Sequence, residues 1–422
     1  MRTAIAELLP ARGLAIVPSD RRLRWVDRLL VLAAILIAFS NGATLLDRFA
    51  DARRVAIAMH PTRRRPGGCY RGFAKALAKR SSKLLQIVVA HLRSLLQREA
   101  IQARQWLTHG LAVFGVDSTK LDCPMTRANE EAIGVAGKSK SWPQLVLTMI
   151  FHVGTNVPWA FKRSDAKSSE RANLLELLTT LPQLAMILAD AGFVGYAFFS
   201  SILASKRQFL VRIGANVRLI RNLCDLRIHR RGDIVYLWPA DAQAKGLAPL
   251  VLRLVTVIDP RRNRRMHLLT SVLDTGMLSD EQLIEIYAMR WSIELKYRSL
   301  KQVMGRRKLL SDSPSMARVE CDWSSVGLWM LEMMSWRESG VRDRSVASAL
   351  RAVRASMTGR SGRLREKLRA SVGDTYKRTQ PRKARHWPHK KRDKPPGEPI
   401  ARTATAEEVA YAARLATRAM AA

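Results

Sequence analysis

The stretch YAMRWSIELKYRSLKQ, from Tyr287 to Gln302, spaces a phenol, a guanidinium, a carboxylate and an ammonium at Tyr287, Arg290, Glu294 and Lys301. At ~100° per residue the four fall within an arc of about 60° on one helix face, and the rise spreads them over roughly 20 Å. Such a face sets one acidic group between cations that can grip phosphate oxygens. It also suits a plain solvated surface, with Glu294 paired to Arg290 or Arg298. Two more carboxylates, Asp117 in GVDST and Asp190 in LADAGF, close strongly apolar runs. Each alone reads as a strand-end turn residue. With Glu294 they make three hard oxygen donors of the kind Mg²⁺ selects. Two such ions ~3.5–4 Å apart can activate a water or hydroxyl and stabilise a leaving oxygen.

That chemistry requires a sheet and a helix to carry the three groups. LAVFGVDST, QLVLTMIFHVG, LAMILADAGF and QFLVRIG read as strands. RANLLELLTTL has helical period with Ser169 as N-cap, and a further helix runs through Phe198 and Ile202. Residues 216–273 turn to strands, with hairpin turns at Arg231-Gly232-Asp233 and at Pro260 to Arg264. The signature helix is expected from Ser279, capped with Gln282, to Met304, with Gly305 as its stop. The fold class is α/β. The expected division is a helical segment 1–105, a core 106–310 interrupted by a β-rich insertion 216–273, a helical region 311–372 and a basic tail 373–422. Residues 1–20 read as loose. The loop HPTRRRPGGCYRG carries Arg63, Arg64 and Arg65, and a last helix follows Thr405, capped with Glu408.

The chain has 422 residues, with 72 Lys plus Arg against 35 Asp plus Glu, a formal charge of +37. Such an excess favours a polyanion, nucleic acid first and an anionic membrane surface second. Between Lys377 and Lys394, nine of eighteen residues are basic, which reads as a flexible arm with sequence-independent nucleic-acid affinity. His386 and His389 within it lack partner ligands for a metal. The apolar run Leu29–Phe39 is half the ~20 residues a membrane span needs, and Asp20 and Asp27 argue against a signal peptide, so a buried core helix is expected. Cys69, Cys123, Cys224 and Cys321 form no CxxC pair, which points to a reduced, cytoplasmic setting. No GxxxxGK[ST] loop is present.

The spacing Tyr-x2-Arg-x3-Glu-x6-Lys resembles the YREK signature of the insertion-sequence-4 family of bacterial DDE transposases. GVDST is similar to that family's first Asp block and LADAGF to its second, in the family's order. The resemblance covers about Phe114 to Leu310. It implies a ribonuclease-H-like catalytic core with a β-strand insertion, a helical N-terminal DNA-binding domain and a helical, basic C-terminal region. It implies Asp117, Asp190 and Glu294 as catalytic residues and as ligands of two Mg²⁺ ions, with Mn²⁺ as a substitute. Tyr287, Arg290 and Lys301 would contact phosphates of the element's ends, with Arg298 close to the same face. Trp291 would lie near a flipped base; ordinary core packing is its other reading, and Trp238 is a second stacking candidate. Lys296 points to the opposite side. Arg127 and Glu130 read as a loop near the active site, and RSDAKSSER (Arg163 to Arg171) as a solvated turn.

The implied reaction is hydrolysis at the element's ends followed by attack of the freed 3′-hydroxyl on target DNA, without ATP. The implied partners are double-stranded DNA, at transposon ends and target, and a second copy of the chain in a homodimer on DNA; no membrane is involved. The implied location is the bacterial cytoplasm, at the nucleoid. Two positions depart from the family pattern: Ser118 stands where Gly is common, and Ala191 where a basic residue is frequent. A catalytically inactive, DNA-binding copy that represses transposition would share the basic surface. So would a metal-dependent nuclease without end specificity.

Overall fold

The computed structural model describes residues 1–10, 14, 16, 24–61, 65–135, 142–224, 232–259, 264–360, 363–373 and 397–421. The basic arm with His386 and His389, Arg63 and Arg64, and the turn residues Arg231 and 260–263 lie outside them. Four helices come first: α1 (Arg2–Ala6), α2 (Asp27–Phe39), α3 (Leu45–Met59) and α4 (Tyr70–Gln102). Then follow β1 (Val113–Asp122), α5 (Arg127–Ala132), β2 (Gln144–His152), β3 (Val157–Asp165), α6 (Glu170–Leu177), β4 (Met186–Ala189), α7 (Tyr196–Ala204) and β5 (Gln208–Ile213). Next are β6 (Arg218–Arg221), β7 (Asp233–Leu237), α8 (Ala240–Ala244), β8 (Leu250–Asp259) and β9 (Arg264–Thr270). The chain closes with α9 (Asp280–Ala288), α10 (Trp291–Arg298), α11 (Pro314–Ser339), α12 (Val346–Met357), α13 (Leu364–Arg369), β10 (Ile400–Thr403) and α14 (Ala406–Ala421). The fold is mixed α/β, as the sequence implies. Residues 1–20 are not wholly loose, because α1 buries Ala4 and Ile5.

The chain forms two compact units: residues 1–107, 116–177 and 291–374 make the first, and residues 108–115, 178–290 and 375–422 the second. Strand β1 begins in the second and ends in the first. The first unit is built around α11. Pro314 opens this helix and Gly340, in the left-handed region at φ 66°, ends it. Most of its side chains are buried, because α2, α4, β3, α12 and α13 all pack on it. Gly327 is what lets α2 approach: a Cβ there would stand 2.5 Å from the Ala38 Cβ. The apolar run predicted as a core helix is α2, and each fully buried Leu or Ile in it stabilises by ~1.5–3 kcal/mol. No helix among the described residues is long and apolar enough to cross a membrane. Asp27, at the first turn of α2, is buried and bonded to Arg80 of α4 at 2.6 Å. Helix α4 buries Phe73, Leu77, Leu84, Val88 and Leu92, a stripe at helical spacing. Strands β2 and β3 pair antiparallel, with Leu147 opposite Arg163 and a bulge at Ile150/Phe151.

In the second unit, the start of β1 pairs parallel with β4, and β4 pairs parallel with β5. Strand β4, MILA, is buried along its whole length. The insertion continues the sheet through β9, which runs antiparallel to β5, and then β8, β7 and β6 in antiparallel order. Strand β10 adds parallel to β6. Helix α14 starts in a reciprocal cap: Glu408 N–H donates to Thr405 Oγ1, and Thr405 N–H to the Glu408 carboxylate. The insertion's own core holds Ile220, Leu223, Tyr236, Trp238, Ala242 and, from α14, Ala412. All four cysteines are unpaired, Cys69 and Cys224 exposed, Cys123 and Cys321 buried.

Candidate active site

The signature is not one helix. Helix α9 starts at the predicted capping box on Ser279 but ends at Ala288. A turn at Met289 and Arg290 follows, closed by Arg290 N–H on the Tyr287 carbonyl. Helix α10 begins afresh at Trp291, and residues 299–303 wind into a π-helical turn. The single arc reckoned at 100° per residue therefore does not hold across Met289, nor through the wider turn that carries Lys301. The break has a chemical consequence for Glu294. It now lies in the first turn of its own helix, where the unsatisfied N–H groups favour an anionic side chain.

Within the first unit, the expected strand end at Asp117 is not an end. Strand β1 continues to Asp122, with Asp117 half-buried in mid-strand. Its Oδ1 accepts the Ser118 N–H at 2.8 Å. Ser118 Oγ lies 2.8 Å from Thr148 Oγ1, Asn173 Nδ2 donates to Thr148 Oγ1 at 3.2 Å, and the same amide donates to Ser164 Oγ at 2.8 Å. The serine that departs from the family pattern thus joins a polar chain linking β1, β2, β3 and α6.

The contact that brings α10 to Asp117 is Tyr297. This residue lies within YAMRWSIELKYRSLKQ but was not among the residues expected at the site. Its hydroxyl donates to the Asp117 carbonyl, lies 3.2 Å from the Leu147 carbonyl and accepts the Met149 N–H at 3.0 Å. It is buried, which raises its pKa well above the ordinary phenol range, with the Asp117 charge adding to the rise. It therefore stays a hydrogen-bond donor throughout the physiological range. Tyr297 is three residues after Glu294, so it fixes the turn of α10 bearing Glu294 against the strand segment bearing Asp117. Tyr297→Phe is expected to lower stability by about 1–3 kcal/mol, because buried backbone groups lose a partner. Urea unfolding of the two proteins checks it.

Lys301 is half-buried, and burial lowers its pKa; the carboxylates of Asp122 and Asp117 oppose that, and Arg307 reinforces it. Lys301 and Asp117 thus feel each other's charge. Lys296, on the opposite side of α10 as expected, is buried against Glu332 of α11. Trp291 is 59% exposed, which leaves core packing aside as its role. Arg298 is exposed and donates to Gln302 Oε1 at 3.3 Å.

In the second unit, Asp190 directly follows β4, and its Oδ1 accepts the Gly192 N–H at 2.9 Å in a tight turn. Tyr287 is buried, and burial raises its pKa; Arg290 and Arg212 pull it down, and Asp190 pushes it up. The Arg290 guanidinium stands 5.6 Å from the centre of the Tyr287 ring. Arg212 was not among the residues expected at the site. An arginine inside the apolar strand QFLVRIG was the available signal, since a cation in such a strand needs a reason to be there.

Three secondary expectations are corrected. Trp238 is not available for stacking on a base: it is 3% exposed, stacked on Tyr411 at 5.5 Å, and its Nε1–H donates to the Leu247 carbonyl. The segment of Arg127 and Glu130 is not a loop but α5, capped by Thr126, with Arg127 paired to Glu131 at 2.7 Å. The presumed solvated turn from Arg163 begins as part of β3, where Arg163 bonds buried Asp322 at 2.9 Å and Asp165 pairs with Arg318 at 3.0 Å. Both pairs hold β3 to α11.

Residues 108–326, just over half the chain, match the family model described as transposase DDE domain. The chain belongs to this DDE transposase family. The matched span contains Asp117, Asp190 and Glu294. The DDE chain is 26% identical over 223 residues to the transposase InsG of insertion sequence element IS4 from Escherichia coli K12, over 50% of this chain and 49% of that one. It therefore spans about half the length of this curated relative. It is also similar to a piggyBac transposase synaptic complex with hairpin DNA, at 12% identity and a TM-score of 0.42, over 91% of this chain and 84% of that one. That likeness is too loose to carry a structural argument.

Proposed function

We propose that this DDE-family chain is an insertion-sequence transposase that cuts DNA at the ends of its element and joins the freed 3′-hydroxyl to target DNA. The observation that supports it best is the Tyr297 bond, which ties Glu294's helix to the backbone of Asp117 in the first unit. In this reading Asp117, Asp190 and Glu294 hold two Mg²⁺ ions, which when bound supply the activated nucleophile and stabilise the leaving oxygen. The donor chemistry fits: all three are carboxylates, and hard divalent ions take oxygen. Among the described residues no group of three His, Cys, Asp or Glu side chains is gathered as a metal would gather them.

The remaining roles belong to the chain's own side chains. Lys301 and Arg290 bind backbone phosphates of the element's end as cations, and Tyr287 donates through its hydroxyl. Arg298 adds an exposed charge, and Trp291 offers an exposed ring on which an unpaired base can stack. Two copies hold the two ends, in the bacterial cytoplasm.

Purified protein, Mg²⁺ and DNA bearing the element's terminal repeats are expected to give strand cleavage, read on a denaturing gel. Binding without cutting would mean a repressor-like copy. Cleavage regardless of the terminal repeat would mean a nuclease. Lys301→Ala is expected to weaken end binding and to reduce the slope of log K against log salt by about 0.9, the share of one phosphate contact on duplex DNA. An unchanged slope in a filter-binding titration would remove Lys301 from the contacts.

A further inference from the structure

A second charged constellation lies in the first unit, where α2, α3, α4 and α11 line a partly open cavity of about 30 Å³. Its wall is mostly apolar, from residues such as Ile37, Phe73 and Trp323, but Arg48, Arg306 and Glu320 also line it. Arg306 is 1% exposed and Arg48 7%. One nitrogen of Arg306, Nη2, donates to the carbonyls of Ile37 and Ala38 at 2.9 and 3.0 Å, capping the C-terminal end of α2. Among the described residues its Nε and Nη1 have no hydrogen-bond partner, nor do Nη1 of Arg48 and Oε1 of Glu320, which stand 3.5 Å apart. Arg48 Nε donates to the Gly42 carbonyl, and Arg354 Nε to the Phe39 carbonyl.

The charges do not balance. Arg48, Arg306 and Arg354 converge on the end of α2; Glu320 is the carboxylate that lines the cavity with Arg48 and Arg306, while Asp51 accepts from Ser40 Oγ at the helix end and pairs with Arg54. Glu320 is already engaged through Oε2, which accepts from Leu310 N, Ser311 N and Ser311 Oγ. The helix C-terminus contributes only about half a negative charge. A buried cation without a paired anion is costly. The cavity holds on the order of two water-sized groups by volume, and its unpartnered atoms among the described residues are three N–H donors, on Arg306 and Arg48, against one acceptor, Glu320 Oε1.

We propose that this cavity is a fixed site for one small monovalent anion, of chloride size, held by Arg306 and Arg48. The anion completes the donor set, neutralises the excess charge and locks α2 and α3 to the segment that leaves the signature after Lys301.

The test is a melting comparison of the full chain in sodium chloride and in sodium gluconate at equal ionic strength. Surface screening is the same in both, and gluconate is too large for the cavity. The melting temperature is expected to be higher in chloride by about 2 °C or more once chloride exceeds its dissociation constant tenfold, and the rise should saturate. Arg306→Met, where it retains its helical circular dichroism, should lose the difference. Crystals soaked in bromide should show an anomalous peak between Arg306 and Arg48. Superimposable melts in the two salts, a chloride response retained by folded Arg306→Met, or no bromide in the cavity would each overturn the proposal in favour of water. The melts of the unaltered chain and the bromide soak decide the matter even if the variant does not fold.

Discussion

Glu294→Gln is expected to reduce strand cleavage by on the order of 10³-fold or more, equivalent to about 4 kcal/mol of transition-state stabilisation. The substitution keeps the size and hydrogen-bonding reach of the side chain and removes its charge. A neutral amide is a poor ligand for a hard divalent ion, so the effect falls on chemistry. Binding of the element's ends should change little, because Arg290 and Lys301, the cations proposed to bind phosphates, are untouched. The favourable place of a carboxylate in the first turn of α10 contributes ~0.3–1 kcal/mol to the fold, and the substitution gives that up. Cleavage on a denaturing gel, end binding by mobility shift and a thermal melt separate these three. A variant that cuts at the normal rate would show that Glu294 is not a metal ligand. A variant that neither cuts nor binds would point to a positioning role for the helix start.

The parts of the fold that the sequence disclosed are those set by strong local patterns. The buried strand β4 and its following Asp190 are visible because MILA is apolar throughout and an acidic residue and glycine follow. The core helix α2 is visible because its apolar run is continuous and too short for a bilayer. The signature break was not visible. No Gly or Pro marks Met289 and Arg290, and the apolar period runs on through Ile293 and Tyr297 as though the helix were whole. The length of β1 was hidden for a different reason. After Val116 the strand's side chains turn polar, since that half carries Ser118, Thr119 and Lys120 in partly exposed positions. Tyr297 could be counted as helix surface or core, but the carbonyl of Asp117 lies 180 residues back along the chain. Pairing over that distance has no local signature. The same holds for Arg306, whose partners are carbonyls of α2.

The other large expected effect is on stability, and it lies on the side of α10 opposite the proposed site. Lys296 of α10 is bonded to Glu332 of α11, and Arg344 Nη2 bonds the other carboxylate oxygen at 3.0 Å. All three are buried. Arg344 also donates to the carbonyls of Thr155 and Asn156, so it retains partners if Glu332 is lost; Lys296 depends on Glu332 far more. Glu332→Ala is therefore expected to destabilise the chain by about 3–5 kcal/mol, because two buried cations are left without their shared anion. Lys296→Met should cost much less, within ~1 kcal/mol, since Glu332 and Arg344 remain as a neutral pair and Met fills a similar volume. Denaturant titration of both variants checks the contrast. The pH dependence gives an independent reading. Burial, with Arg344 and Arg342 reinforcing it and Glu332 opposing, pushes the Lys296 pKa down to about 8 from 10.5. The native state thus binds fewer protons than the unfolded chain between those values, so this group's penalty is fully present below pH 8 and is relieved as pH rises to 10.5. The stability deficit of Lys296→Met relative to the unaltered chain should therefore widen across that window, since only the lysine-bearing chain gains stability as pH rises. Equal destabilisation by the two substitutions, with no change in their difference between pH 8 and 10.5, would mean that Lys296 is not held as a buried charge. In that case Tyr297 would carry a larger share of the anchoring of α10 and, with it, Glu294.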